Sequence, residues 1–150
     1  MIRLSRTSDY GIVLMAHLAG CTDLAPHNAR EVAADAGLPL PMVSKILKAL
    51  AREGLLVSHR GAKGGYSLAR RPEEISAAEM ITALEGPIGL TECTVHPGHC
   101  VQESNCHVRE PWQRINAVVR QALVDVTLAD LAGPPIPHDT VPISGPDLGR

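Results

Sequence analysis

Apolar positions recur along this chain at two periods, and the changes of period divide it into elements. Tyr10, Val13, Leu14 and Leu18, with His17 on the same stripe, return at helical spacing. Ser8 and Asp9 stand just ahead of them and are expected to cap that helix. Pro26-His27-Asn28 ends the next linker, and Asn28 with Glu31 resembles a capping box that uses Asn in place of Ser or Thr. The short helix predicted over Ala29–Ala36 turns Val32 and Ala33 inward and stops at Gly37. After Leu38-Pro39-Leu40, Pro41 suits the first turn of another helix. Val43, Ile46, Leu47 and Leu50 then fall at i, i+3, i+4 and i+7, one buried face, before Gly54 ends the run.

The period next drops to that of strands. Leu55 to Arg60 reads as a strand, Gly61 to Gly65 as a turn, and Tyr66 to Leu68 as a returning strand. Helix, glycine turn, helix and hairpin in that order is a winged helix-turn-helix layout. Arg70-Arg71-Pro72 closes this unit. Ser76 and Glu79 form a full capping box for a helix through Met80, Ile81 and Leu84, which Gly86-Pro87 ends. Pro111 opens a longer helix. Its apolar positions Trp112, Ile115, Val118/Val119, Ala122/Leu123 and Val126 repeat at about 3.5 residues, a coiled-coil-like seam that suits a homodimer interface. Thr127 to Leu131 reads as one more short helical turn. Five prolines and three glycines among the eighteen residues from Gly133 to Arg150 mark a disordered tail. The fold class is therefore mainly α with a small β-wing: a winged helix-turn-helix domain followed by a long dimerisation helix. Composition agrees, because a chain with no Phe, one Trp and two Tyr must build its core from aliphatic side chains, which favours helices.

Charge adds a partner to this outline. The formal net charge is −2, but Lys45, Lys48, Arg52, Arg60 and Lys63 face a single acid, Glu53, between Pro41 and Tyr66. That window carries +4 and leaves −6 elsewhere, an electrostatic footprint for the phosphates of double-stranded DNA. Lys45, Lys48 and Arg52 lie off the buried stripe of their helix, with Met42 and Ser44 near its start. The wing tip brings His59, Arg60 and Lys63 among three glycines, which let backbone approach DNA closely while the basic tip enters a narrow minor groove. An ordinary solvated basic face is the plainer reading. A phosphate-cradling nucleotide loop would need a helix directly after the glycines, and a strand follows instead. No apolar run approaches the length of a membrane span. The first 21 residues, ending Leu18-Ala19-Gly20-Cys21, invite comparison with a lipoprotein signal. Asp9 precedes the apolar segment, His17 interrupts it, and Ile12 to Ala16 is too short a core, so an amphipathic helix in a cytoplasmic protein is expected.

The densest chemistry lies between these elements. Cys93, Cys100 and Cys106 fall within fourteen residues, with His96, His99 and His107 among them. Pro97-Gly98 forbids a continuous helix, so a loop is expected that folds these side chains inward. Thiolates are soft ligands, suited to zinc or iron–sulfur chemistry rather than calcium or magnesium. The gaps of six and five residues fit a zinc ribbon poorly, since paired zinc knuckles use about two to four. An iron–sulfur cluster tolerates wider gaps but needs a fourth ligand. Free or disulfide-bonded cysteines are the bland alternative. Cys21 stands alone and reads as a small loop thiol. No Cys-x-x-Cys pair, Ser/His/Asp grouping or nucleotide loop supports an enzyme such as a thiol oxidoreductase.

Taken together, Met1-Ile2-Arg3-Leu4 with Asp9-Tyr10, the wing Arg60-Gly61…Gly64-Gly65-Tyr66, the three-cysteine loop and Trp112 six residues after Cys106 resemble the Rrf-type winged-helix regulators. That family includes the iron–sulfur biogenesis repressor and the nitric-oxide-sensing repressor, and the resemblance covers about residues 1–132. Gly86 to Cys93, Trp112 to Asn116 and Thr127 to Asp130 look closest to proteobacterial regulators of the SUF cluster-assembly system. The resemblance implies a homodimeric transcriptional regulator, a repressor in several members. It implies a palindromic DNA site and an iron–sulfur cluster, 2Fe–2S or 4Fe–4S, ligated by Cys93, Cys100 and Cys106. The DNA-binding domain is expected over residues 1–71, and the cluster loop with the dimerisation helix over 72–132. One departure matters. Where the biogenesis branch has a ligating histidine three residues after the last cysteine, this chain has Arg109. The fourth ligand is then His107, or Asp9 from the partner subunit as in the nitric-oxide branch. A zinc-stabilised winged-helix regulator is the alternative.

Overall fold

The computed structural model describes residues 3–21 and 25–134. Met1 and Ile2 of the family-like start lie outside these residues, as does the tail from 135 to 150.

The first helix, α1, runs Arg6–Gly20 and is capped by Ser5, whose hydroxyl accepts the Ser8 N–H at 3.2 Å. Ser8 and Asp9 are therefore not the cap, as the sequence suggested; they lie inside the first turn, Ser8 fully buried and Asp9 exposed. The buried stripe is also rotated from the expected one. Gly11, Leu14, Met15 and Leu18 face inward, while Val13 is 47% exposed. Gly11 explains the rotation: a Cβ there would strike the Leu84 side chain, so this edge lets another helix approach closely.

Helix α2, Ala29–Ala36, carries the Asn28–Glu31 capping box and ends at Gly37, whose φ of 64° is left-handed. Helix α3, Leu40–Arg52, starts one residue before the expected Pro41 and buries Val43, Ile46, Leu47 and Leu50. Strand β1, Leu56–His59, pairs antiparallel with β2, Gly65–Leu68, placing Leu56 opposite Leu68 and His59 opposite Gly65. Leu55 falls outside β1 because its N–H closes the end of α3 on the Leu50 carbonyl at 3.0 Å.

A 3-10 turn at Pro72–Glu74 leads to α4, Ala77–Glu85, started by the Ser76–Glu79 capping box. Helix α5 is one turn, Glu92–Val95. Helix α6, Arg109–Asp125, opens two residues before Pro111, where a first-turn proline sacrifices no helical hydrogen bond. Helix α7, Leu128–Ala132, is capped by Thr127 and Asp130.

One aliphatic core joins α1, α2, α3 and α4. Leu14, Met15, Val32, Val43, Leu47, Leu50, Ile75 and Met80 are all fully buried, and so is Leu128 from α7. The chain after α6 returns to the start of α4: Leu128 N–H donates to the Ile75 carbonyl at 2.7 Å, and Ala77 N–H to Val126 at 2.8 Å. Both ends of the segment 75–128 are thus anchored in the winged core. Helix α6 contributes no buried residue and leaves Trp112, Ile115 and Val118 at 39%, 46% and 67% exposure.

Candidate nucleic-acid interface and thiol loop

Because α3 buries one stripe against the core, its other side is presented outward. Met42, Lys45, Lys48 and Arg52 are exposed, and Ser44 is half-buried. Arg52 leans towards Glu53 at 3.7 Å, whereas Lys45 and Lys48 make no ion pair among the described residues. In the wing, Arg60 and Lys63 are likewise exposed and unpaired among the described residues, free to meet phosphates. His59 Nε2 meets Ser67 Oγ at 2.8 Å across the hairpin, so its ring braces the strands.

The wing glycines divide their work differently from the sequence reading. Gly61 adopts φ 105° with open space around it, so it answers to backbone conformation alone, whereas Gly65 combines a φ of 157° with close packing. A Cβ on Gly64 would collide with the His59 carbonyl, and one on Gly65 with the backbone of His27. Two of the three glycines therefore serve packing within the protein. His27 and Tyr66 are joined by a bridge outside the two named strands, which ties the wing to the linker before α2.

Cys93, Cys100 and Cys106 are free thiols. Cys93 sits in α5, 8% exposed, with its sulfur 3.3 Å from the Thr91 hydroxyl. Cys100 and Cys106 are half-buried. Pro97-Gly98 does break the helix as expected, but the segment is not a plain loop, since α5 and a 3-10 turn at Glu103–Asn105 give it form. Glu103 is its centre. Its carboxylate, 11% exposed, accepts the Gly98 N–H at 2.6 Å and pairs with Arg109 at 2.7 Å. Arg109 is thus committed to a carboxylate. Ahead of Cys93, the Asn116 side chain of α6 accepts the Leu90 N–H at 3.0 Å.

The remaining donors lie apart. His96 and His99 are exposed, their tilted rings 5.5 Å between centroids, and His107 is exposed beside Cys106. Asp9 is on the first turn of α1; its N–H donates to the Ser5 carbonyl at 3.0 Å, but its carboxylate has no hydrogen bond or ion pair among the described residues. Among those residues, no three His, Cys, Asp or Glu side chains are gathered as a metal would need. The three thiols are not gathered at metal-binding distance, and neither Asp9 nor His107 joins them. The donor set still fits a thiophilic metal or cluster, because three unoxidised sulfurs share one short, shaped segment.

A contact between α1 and α4 lies apart from the thiol segment. Ser5 N–H donates to Glu85 Oε1 at 2.7 Å, joining the cap of α1 to the last residue of α4. The Ser8 hydroxyl beside Glu85, though in no well-formed hydrogen bond, is the main influence holding that carboxyl below its ordinary range, and Ser5 adds to it. Glu85, Glu103 and Asn116 were all missed in the sequence. Each acts through a partner distant in the chain or through a backbone amide, which no residue pattern marks. Among the described residues no helix is long and apolar enough to cross a membrane.

A family model described as "Iron-dependent Transcriptional regulator", Rrf2, matches residues 4–134. The HTH-type transcriptional regulator CymR of Bacillus subtilis is 32% identical over 131 residues, 87% of this chain and 90% of that one. Its solved structure, titled as that of the global cysteine regulator, superposes with a TM-score of 0.69 over 88% of this chain and 97% of that chain. The structure of T. potens IscR superposes with a TM-score of 0.63 at 29% identity, covering 87% of this chain and 85% of that one.

Proposed function

The chain belongs to the Rrf2 family of winged-helix transcriptional regulators, and on that premise we propose that it is a cytoplasmic homodimer whose thiol loop carries an iron–sulfur cluster that sets its affinity for palindromic promoter DNA. The observation that carries this reading is the set of three free thiols, Cys93, Cys100 and Cys106, held in one shaped segment directly ahead of a helix with no buried residue. In this reading α3 enters the major groove, with Met42, Ser44 and Lys45 towards the bases and Lys48 on phosphate. The wing residues His59, Arg60 and Lys63 follow the backbone into the neighbouring minor groove. Residues 1–71 read DNA, and residues 72–132 hold the cluster and pair the subunits through α6. Control of SUF assembly genes is the target proposed.

Cys93, Cys100 and Cys106 would supply three thiolates, and the bound cluster, 2Fe–2S or 4Fe–4S, would supply sensitivity to redox state or nitric oxide. Arg109 stands where a fourth ligand would be expected, but its guanidinium is a donor already paired with Glu103, so it only braces the loop. The fourth ligand is then His107, or Asp9 from the partner subunit. Asp9 is available for that role because Ser5, not Asp9, caps α1.

Two other readings have an observation behind them. The same thiols suit a structural zinc, which would stabilise the segment without sensing. The likeness to CymR, whose structure is titled as a cysteine regulator, favours a regulator of sulfur supply. Anaerobic purification followed by iron, acid-labile sulfide and zinc assay with an absorption spectrum separates them. Coloured protein containing iron and sulfide is expected, unaffected by Cys21→Ala. A spectrum altered by Asp9→Ala and not by His107→Ala assigns the fourth ligand across the dimer, and the reverse assigns it within the loop. Colourless protein with one zinc per chain overturns the proposal.

A further inference from the structure

The segment between Cys93 and Cys106 is shaped by a group that is neither cysteine nor histidine. Glu103 lies between Cys100 and Cys106, and its carboxylate is 11% exposed. It accepts the amide of Gly98, two residues before Cys100, at 2.6 Å. It also pairs at 2.7 Å with Arg109, three residues after Cys106. One side chain thus gathers the chain on both sides of two thiols. Without it, the Pro97-Gly98 turn, with Gly98 at φ 88°, and the 3-10 turn at Glu103–Asn105 would be joined by backbone alone. Four further backbone bonds lie along this span: His99 N–H to His96 at 3.2 Å, Glu103 N–H to Cys100 at 3.1 Å, Asn105 N–H to Gln102 at 3.1 Å and Arg109 N–H to Cys106 at 3.3 Å. All are local turns, three residues apart, that set no distance across the segment.

We infer that Glu103 is a positioning residue for the thiol site: by clamping the Gly98 amide and the Arg109 guanidinium it holds Cys100 and Cys106 in a common fold before any metal arrives. This rests on the reading of the three cysteines as ligands. Charge-assisted bonds to a nearly buried carboxylate are the strong kind, and groups that orient ligands from behind typically change metal affinity about 10- to 100-fold when removed. The inference also gives Arg109 a use. Its charge offsets that of Glu103, so the loop can bury a carboxylate beside thiols that must themselves become anionic on binding.

The test uses the full chain, reduced and metal-free, and two readouts. The first is amide hydrogen exchange at Gly98, with the Leu90 amide, held independently by Asn116, as the internal reference. The second is a titration with Co2+, whose thiolate absorption reports binding directly, under chelator competition. Glu103→Ala is expected to release the Gly98 amide, leave Leu90 protected and weaken cobalt binding about 10- to 100-fold. Glu103→Gln keeps an acceptor for Gly98 while losing the ion pair, and is expected to fall between wild type and Glu103→Ala on both readouts. Equal cobalt affinity in wild type and Glu103→Ala overturns the inference, whether or not Gly98 is released. Loss of Leu90 protection together with Gly98 also overturns it, because the effect would then be general unfolding. A wild-type chain that binds no cobalt refutes the ligand reading itself, and the role of Glu103 with it.

Discussion

His27 and Tyr66 exchange two backbone hydrogen bonds, His27 N–H to the Tyr66 carbonyl at 2.9 Å and Tyr66 N–H to the His27 carbonyl at 2.8 Å. This bridge fixes the wing against the start of α2. Gly65 makes it possible, since any Cβ there would collide with the His27 backbone. Gly65→Ala is therefore expected to cost about 1–3 kcal/mol of stability, the usual range for forcing an extra carbon into a packed site. Thermal unfolding measures the loss, and faster exchange of the His27 and Tyr66 amides locates it.

The unpaired lysines of α3 and the basic wing tip are expected to make separate contributions to DNA binding. Lys48→Ala is expected to weaken binding to every duplex alike and to flatten the salt dependence by about one phosphate contact. Arg60→Ala is expected to cost on the order of 1–3 kcal/mol. Changes at Ser44 or Lys45 should instead alter which bases are preferred. Fluorescence anisotropy across a salt series reads all of these, and unchanged affinity after both Lys48→Ala and Arg60→Ala would refute the placement.

Glu85 gives the winged unit a dependence on pH. Its carboxyl is held below the ordinary value of 4.5 by the nearby Ser8 hydroxyl and by Ser5, and it sits at the positive end of α1. A depressed folded value means that the stabilisation is fully present above the unfolded value and fades as pH falls through the folded one. Glu85→Gln is thus expected to lower the melting temperature at pH 7, with the gap to wild type closing below about pH 4.5. A gap that stays constant down to pH 3 would contradict the assignment.

Helix α6 carries apolar side chains that its own subunit leaves uncovered. Ile115→Glu adds a charge at a position 46% exposed, so the isolated fold should tolerate it. If α6 is the dimer interface, sedimentation should show the wild type as a dimer and Ile115→Glu as a folded monomer, with unchanged far-ultraviolet circular dichroism. A dimeric Ile115→Glu would place the interface elsewhere.

Features set by near neighbours were legible in the sequence. The Asn28–Glu31, Ser76–Glu79 and Thr127 starts, the buried stripe Val43–Ile46–Leu47–Leu50 and the hairpin all depend on residues a few positions apart. The errors came where distant packing decides. Ser5 caps α1 with Glu85 close by from another helix, and the stripe of α1 is rotated by the Gly11–Leu84 approach. The thiols were visible as a group because their spacing is dense. The clamp that shapes them was not, because Glu103 in isolation looks like any solvated loop carboxylate. Nor could the sequence show that Gly65 answers to His27, more than thirty residues earlier.

If the thiol loop governs DNA affinity as proposed, the difference in affinity between loaded and stripped protein tests it most directly. A palindromic duplex recovered by selection with the anaerobically purified protein supplies the probe. Its Kd is measured before and after removal of the bound group by chelator, with Cys106→Ala alongside. A coupling of about 1–3 kcal/mol, the usual range between linked sites, corresponds to a change of about 5- to 150-fold on stripping. Cys106→Ala should match the stripped wild type before and after the same treatment. One common Kd for loaded protein, stripped protein and Cys106→Ala would contradict the account.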